Sequence, residues 1–228
     1  MSALYLPTIA DDADTGIVLR GIRMRDVRAL DRELMINRSW LRTWEATNPN
    51  GFAFGDPRGL VRTLLSHARS SSAVPLVIEV DGELVGQLNV SSLAYGSLSS
   101  GQIGYWIAER VAGRGVTPTA VAMATDYCFH ALGLHRVEIA IRPENTASLR
   151  VVEKLGFRYE GLRRRYIHIN GDWRDHFTFA LVREDAPDGV LARWRAGLAP
   201  ASAALIPHVD MESADRDPRA DSRSNTPS

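Results

Sequence analysis

A mixed α+β fold, with a mostly antiparallel sheet and flanking helices, is what this chain predicts, and three features predict it. Two stretches of helical spacing come first. At residue 74 the pattern switches to strand-length apolar runs joined by hairpin turns. A glycine-punctuated turn then leads from a strand into a long helix whose far end feeds another strand, which is a β-α-β crossover.

In chain order, residues 1–16 are polar and loosely patterned and read as an N-terminal arm. Residues 17–20 read as a short strand. From Met24 to about Trp40, the apolar residues Val27, Leu30, Leu34 and Met35 recur at helical spacing. Asn48-Pro49-Asn50-Gly51 breaks the chain. A second helix opens at Asp56-Pro57, with aspartate placed to cap and proline at the first helical position, and fades in Ser70-Ser71-Ser72. Residues 74–80 and 84–93 form a hairpin about Asp81-Gly82. A Gly/Ser loop at 96–101 precedes a strand at 102–108. A helix follows from about Thr117 to Leu132, stopped by Gly133, and then a strand at 135–141. Asn145 opens a helix that Gly156 closes, and strands at 157–161, 165–169 and 173–182 finish the sheet, the last two about an Asn170-Gly171 turn. A short C-terminal helix is expected within 185–205, and 206–228, rich in Asp, Arg, Ser and Pro, is expected to be a disordered tail because it cannot offset the cost of ordering.

The 228 residues suit one domain with an appendage. Lys plus Arg equals Asp plus Glu, 27 each, which argues against a nucleic-acid binder held by bulk charge. The single cysteine, Cys128, excludes a disulfide framework and a cysteine-based metal site, and no metal is expected. The acidic N-terminal stretch around Asp11, Asp12 and Asp14 is unlike a signal peptide, and no run approaches the ~18 apolar residues that span a bilayer. A cytoplasmic protein without a membrane partner is the expectation.

The stretch Ile103-Gly104-Tyr105-Trp106-Ile107-Ala108-Glu109-Arg110-Val111-Ala112-Gly113-Arg114-Gly115-Val116-Thr117 carries the most chemistry. Its Arg110-x-x-Gly113-x-Gly115 spacing at a helix start turns successive backbone N–H groups into one concavity, where the helix dipole favours anions. Glycine allows close approach in conformations that a Cβ disfavours. A phosphate-bearing ligand fits such a turn. The spacing is neither that of a P-loop nor that of a dinucleotide fingerprint. A second motif lies downstream, Arg142-Pro143-Glu144-Asn145-Thr146-Ala147-Ser148, opening a helix that ends in Leu155-Gly156-Phe157. Asn145 is an N-cap candidate there.

Together these segments resemble the GNAT superfamily of acyl-CoA-dependent N-acyltransferases, and within it the RimJ/RimL-type ribosomal-protein-alanine N-acetyltransferases. Gly104-Tyr105-Trp106-Ile107, Leu134-His135-Arg136-Val137-Glu138, Gly171-Asp172-Trp173-Arg174-Asp175-His176 and Trp40-Leu41-x-x-Trp44-Glu45 extend the likeness over roughly 17–184, the expected domain. The resemblance implies a GNAT-like sheet splayed at the acyl-CoA site, with acetyl-CoA as co-substrate. It implies pantetheine pairing at Ile107 and Ala108, and pyrophosphate held by the backbone of Arg110, Gly113, Arg114, Gly115 and Val116 with the Thr117 hydroxyl. Asn145 would bond the pantetheine chain. Arg150 and Lys154 are either adenosine-phosphate partners or a solvated helix face. The tyrosine that many family members carry four residues after the Ser148 position is Val152 here, so the leaving thiolate falls to Ser148. Glu109 is the base candidate, through a water, and Glu45 the competing base or amine anchor, with Trp44 in the substrate cleft.

The acceptor implied is a protein N-terminal α-amine, plausibly of a ribosomal protein, attacking the thioester directly. Such an amine, of pKa ≈ 7.7–8.0, needs only modest base assistance. The alternatives are a small-molecule amine acceptor (an antibiotic, polyamine or amino acid) and a non-catalytic acyl-CoA-binding module. Ribosome association is compatible with the resemblance, direct nucleic-acid binding is not expected, and the chain is read as a monomer or homodimer.

Overall fold

The computed structural model describes residues 6–10, 15–50 and 56–214. The start of the expected arm, residues 11–14 and the end of the expected tail, 215–228, lie outside them. Eight strands form one sheet: β1 (Thr8–Ala10), β2 (Ile17–Gly21), β3 (Val74–Val80), β4 (Glu83–Ala94), β5 (Ser100–Ile107), β6 (Arg136–Ile141), β7 (Arg158–Ile169) and β8 (Asp172–Val182). Their spatial order is β1-β2-β3-β4-β5-β6-β8-β7. The β5–β6 pair is parallel and every other pair antiparallel, as a single crossover requires. The expected α+β class is the observed one.

The hairpin turns are of the kind the dipeptides predict. Asp81 and Gly82 (φ 51° and 80°) and Asn170 and Gly171 (φ 49° and 92°) supply the two positive φ values that match the strand twist. The expected strands at 157–161 and 165–169 are one strand, β7, broken by register shifts at Tyr159/Gly161 and Arg163/Ile167, with Arg165 at φ 46°. A bulge preserves the strand while bending it.

Helices cover both faces. On one side, α1 (Val27–Ile36) and α3 (Pro57–Arg69) pack Leu30 and Val61 against Val77 of β3 and Leu84 of β4. The first predicted helix is divided: a 3₁₀ turn (Met24–Asp26) enters α1, and a short α2 (Arg38–Leu41) follows. Asp56 caps α3 by accepting from the Arg58 N–H at 2.9 Å, as predicted. On the other side, α4 (Val116–Asp126), extended by a π-helical turn (Tyr127–Ala131), and α5 (Thr146–Leu155) enclose the larger core, which includes Leu76, Ile78, Leu88, Phe129, Phe157, Phe177 and Phe179. Cys128 lies in this core and is fully buried, which pushes its thiol up to about 12.

The C-terminal segment docks on the ends of the two large helices. In α6 (Val190–Arg195), the Val190 and Leu191 N–H groups donate to the Asp126 carboxylate at 2.6 and 3.1 Å, and Arg193 Nη2 donates to the Leu155 carbonyl at 2.6 Å. Within the described start of the expected tail, residues 206–214, lies a short helix, α7 (His208–Ser213). Asp210 has a partner outside its own segment, accepting from the Tyr159 hydroxyl at 2.8 Å.

One buried ionic cluster ties β2 to α1. Arg20 donates to Asp26 at 2.8 and 2.9 Å and to Glu79 at 2.6 Å, with Arg20 and Asp26 almost wholly enclosed. Burial alone would raise the Asp26 pKa, but hydrogen bonds from Arg20 and from the Arg23 N–H outweigh it and hold the carboxyl below its ordinary value. A depressed carboxyl stabilises the fold above the unfolded value of about 3.9 and loses that contribution as pH falls through the folded value. Asp26→Asn should therefore lower stability by roughly 1–3 kcal/mol at pH 7, since the buried Arg20 guanidinium keeps Glu79 but loses its two-pronged carboxylate partner. In urea unfolding the gap between variant and wild type should narrow as pH falls below about 4.

Candidate active site

The ladder between β5 and β6 is short. Ser100, Gly101 and Gln102 pair with Arg136, Val137 and Glu138; beyond Gln102 the strands share no pairs, although β5 runs on to Ile107 and β6 to Ile141. On its other edge β5 stays paired with β4, and the Ala108 N–H donates to the Val85 carbonyl at 2.7 Å. Because backbone groups alternate along a strand, Ile107 and Tyr105 turn theirs toward the opening. Close approach of β4 is essential at Gly86, where a Cβ would stand 2.5 Å from the Trp106 carbonyl oxygen.

The opening is a cleft of about 440 Å³. One wall is Tyr105, Trp106 and Ile107, with Trp40, Leu41 and Trp44 beside them. The floor is the glycine turn, from Ala112 to Pro118 without Arg114. The other wall is the start of α5, Glu144 to Ser148, with Arg150, Val151 and Lys154. Both turn glycines need their residue type, Gly113 at φ 77° and Gly115 at φ 81°, the latter being the N-cap of α4. Nothing lies within 4 Å of where a Gly113 Cβ would be, so the turn presents bare backbone to the cleft. Such a cradle at the positive end of a helix fits a pyrophosphate. Arg150 and Lys154, exposed on α5, line the same cleft, so the phosphate-partner alternative for these two has a geometric basis.

Helix α1 fixes where β5 ends. Asn37 Oδ1 accepts from the Glu109 N–H at 2.9 Å, while Asn37 Nδ2 donates to the Glu33 carbonyl at 2.8 Å. The Glu33 carboxylate, nearly fully buried, is ion-paired with Arg110. The Arg110 side chain is thereby drawn back to α1, leaving only its backbone for the expected phosphate role. Trp40 Nε1 donates to the Ile107 carbonyl at 3.1 Å. Glu33, Asn37 and Trp40 stand at i, i+4 and i+7, a polar stripe that an apolar reading of this helix passes over.

At the start of α5, Asn145 Oδ1 accepts from the Ser148 N–H at 3.0 Å. This is the expected cap, and it leaves the carboxamide NH₂ as the group to meet a ligand. Of the sequence-predicted residues, Ile107, Gly113, Gly115, Val116, Thr117, Asn145, Ser148 and Trp44 line the cleft together. Ala108 backs it through β4. Arg114 faces a separate cavity of about 270 Å³ beside Trp194 and Arg195.

The two base candidates fall outside the cleft lining. Glu109 is exposed on the 3₁₀ turn Glu109–Val111 that follows β5. Glu45 is half-exposed and ion-paired with Arg38. Glu144 is the acidic residue that lines the cleft among the described residues, and its carboxylate is enclosed behind the wall. Its side chain is only 2% exposed and meets Arg142 at 3.1 Å. Arg142 donates in turn to the Thr43 carbonyl at 2.6 Å and lies 5.4 Å over the Trp44 ring. Glu144 adjoins Asn145 in the chain, and that adjacency was the available signal for it. The Arg163-Arg164-Arg165 run is structural in part: Arg163 pairs with Glu138 at 3.0 Å, and the Arg165 N–H donates to Asp175 at 2.7 Å.

A parallel strand pair that parts over a glycine phosphate turn is the frame of an acyl-CoA-dependent transferase. The family model of the acetyltransferase (GNAT) domain matches residues 17–158, and the chain belongs to this family, an acyltransferase by class. The solved structure of Mycobacterium smegmatis RimJ in complex with CoA-disulfide superposes with a TM-score of 0.74 at 37% identity, covering 84% of this chain and 91% of that one. The Escherichia coli [ribosomal protein uS5]-alanine N-acetyltransferase is 29% identical over 178 residues, 76% of this chain and 91% of its own length. The probable N-acetyltransferase YjcK of Bacillus subtilis is 39% identical over 105 residues, a match spanning 58% of that relative. No helix among the described residues is long and apolar enough to cross a membrane.

Gly113→Val tests the cradle. The positive φ disfavours a β-branched residue by roughly 1–2 kcal/mol, yet open space around the position lets the fold persist. CoA affinity measured by calorimetry should fall at least about tenfold with an unchanged far-UV spectrum, and an unaltered affinity would remove the turn from the phosphate site.

Proposed function

We propose that this protein transfers the acetyl group of acetyl-CoA to the free α-amine of a protein N-terminus, that of a ribosomal protein. The observation that carries the acceptor side is Glu144 in the cleft wall, four residues from Ser148, with its enclosed carboxylate paired to Arg142. An α-amine with pKa ≈ 7.7–8.0 is partly neutral at pH 7 and needs one carboxylate to receive its proton. The name of the Escherichia coli relative supports the ribosomal assignment.

In this reading the neutral amine attacks the thioester carbon, and its proton passes to Glu144, directly or through a water. A cleft-facing N–H of β5, that of Ile107, stabilises the tetrahedral oxyanion. The C–S bond then breaks, and the CoA thiolate leaves toward Ser148. Arg142 holds Glu144 in place, and Glu144 takes the part first expected of Glu109 or Glu45.

Thiol release from acetyl-CoA against a panel of amines tests the acceptor class: peptides with free Ala, Ser or Thr N-termini, N-blocked lysine peptides, polyamines and aminoglycosides. Release with the free N-terminal peptides alone is expected, whereas release with small amines alone would reassign the acceptor. With the accepted peptide, Glu144→Gln, which keeps an acceptor for Arg142, should lower kcat by about 10²-fold, while Glu109→Gln and Glu45→Gln stay near wild type. The opposite ranking would return the base to the cleft's rim.

A further inference from the structure

Tyr105 stands in the cleft wall of β5, and its ring contributes to the lining, but its hydroxyl is fully enclosed. That hydroxyl closes no hydrogen bond of normal geometry, and the side chain it faces is Ser148. A buried phenol oxygen without a well-formed bond is costly, which marks a group held ready for a partner. We propose that Tyr105 is a positioning residue for the leaving group: its hydroxyl donates to Ser148 Oγ as the acyl-CoA enters, which turns the Ser148 proton toward the departing sulfur. This rests on the acyl-transfer reading above.

The donor direction follows from chemistry. Burial pushes the Tyr105 phenol up to about 12, and the nearby Ser148 hydroxyl offsets this only in part, so the phenol keeps its proton throughout the physiological range. A serine hydroxyl left to itself can point its single proton at any acceptor nearby. Once its oxygen accepts from Tyr105, that proton is free for the sulfur. As the C–S bond breaks, the electron pair goes to sulfur, the amine proton has gone to the base, and the thiolate is stabilised by the Ser148 O–H without crossing a charge to serine. Val152, four residues after Ser148 on α5, is fully buried core, so the aromatic hydroxyl enters from the strand and not from the helix.

The test needs no acceptor. CoA and desulfo-CoA affinities are titrated calorimetrically from pH 6.5 to 9 for the wild type, Tyr105→Phe, Ser148→Ala and the double variant. A site that prefers thiolate lowers the bound thiol's pKa, so wild-type affinity for CoA should rise with pH, relative to desulfo-CoA, toward the free thiol value near about 8.5, by up to tenfold per unit of depression. Both single variants should flatten that rise, and the double variant should match Ser148→Ala. With a competent amine, Tyr105→Phe should lower kcat about tenfold at constant KM for acetyl-CoA and have no further effect once Ser148 is alanine. A flat wild-type ratio, or losses that add in the double variant, would overturn the proposal. Failure of every amine in the panel would count against the acceptor assignment alone, because the CoA titration is independent of it.

Discussion

The site depends on one event in the sheet: β5 leaves β6 after Gln102 while remaining paired with β4. Two parallel strands that stay together satisfy each other's backbone; two that separate expose unpaired N–H and C=O groups to whatever fills the gap. An extended chain with amide groups of its own is the natural guest, and pantetheine is such a chain. The parting also sets the distance between the two catalytic walls. Tyr105 to Ile107 remain on the β4 side, and the start of α5 is carried off with β6.

An open strand edge would be unstable if nothing held it, and α1 supplies the restraint. Asn37 takes the Glu109 N–H, Trp40 donates to the Ile107 carbonyl, and Glu33 draws in the Arg110 guanidinium. These three contacts fix where the strand stops and the phosphate turn begins. The Arg20–Asp26–Glu79 cluster anchors the beginning of the same helix to β2 and β3. Farther along, the C-terminal segment braces the turn from behind: Trp194 approaches to 3.8 Å of the Gly115 Cβ position, and Asp126 joins the end of α4 to the start of α6. The glycines give the turn its shape, and surrounding packing gives it rigidity.

How much of this was legible in the sequence follows from where the information lies. Gly113, Gly115, Asn145 and Ser148 act through backbone geometry or helix capping, which short spacings encode, and all four line the cleft. The hairpins at Asp81-Gly82 and Asn170-Gly171 were legible for the same reason. Glu109 lies next to the turn in the chain yet is exposed on a 3₁₀ turn outside the cleft lining, because chain proximity does not determine which residues line a cleft. Glu33, Asn37 and Trp40 were obscured because their partners are about seventy residues away in the chain. The helix His208–Ser213 lies in polar sequence and depends on a contact with Tyr159 of β7, which composition cannot report.

The proposed reaction draws most of its groups from the seven residues Arg142 to Ser148. In the proposed reaction Arg142 and Glu144 form the amine side, Asn145, which caps the helix, meets the cofactor arm, and Ser148 receives the sulfur. Placing these groups on a capped helix start, rather than a loose loop, fixes their mutual distances through the helix itself. The opposite wall contributes what the segment lacks: backbone donors and the Tyr105 hydroxyl. Neither wall is competent without the other, so the geometry of transfer is set by how far β5 and β6 diverge. A substitution that narrows or widens the parting, such as a side chain at Gly86, would disturb binding and chemistry together without touching any reacting group.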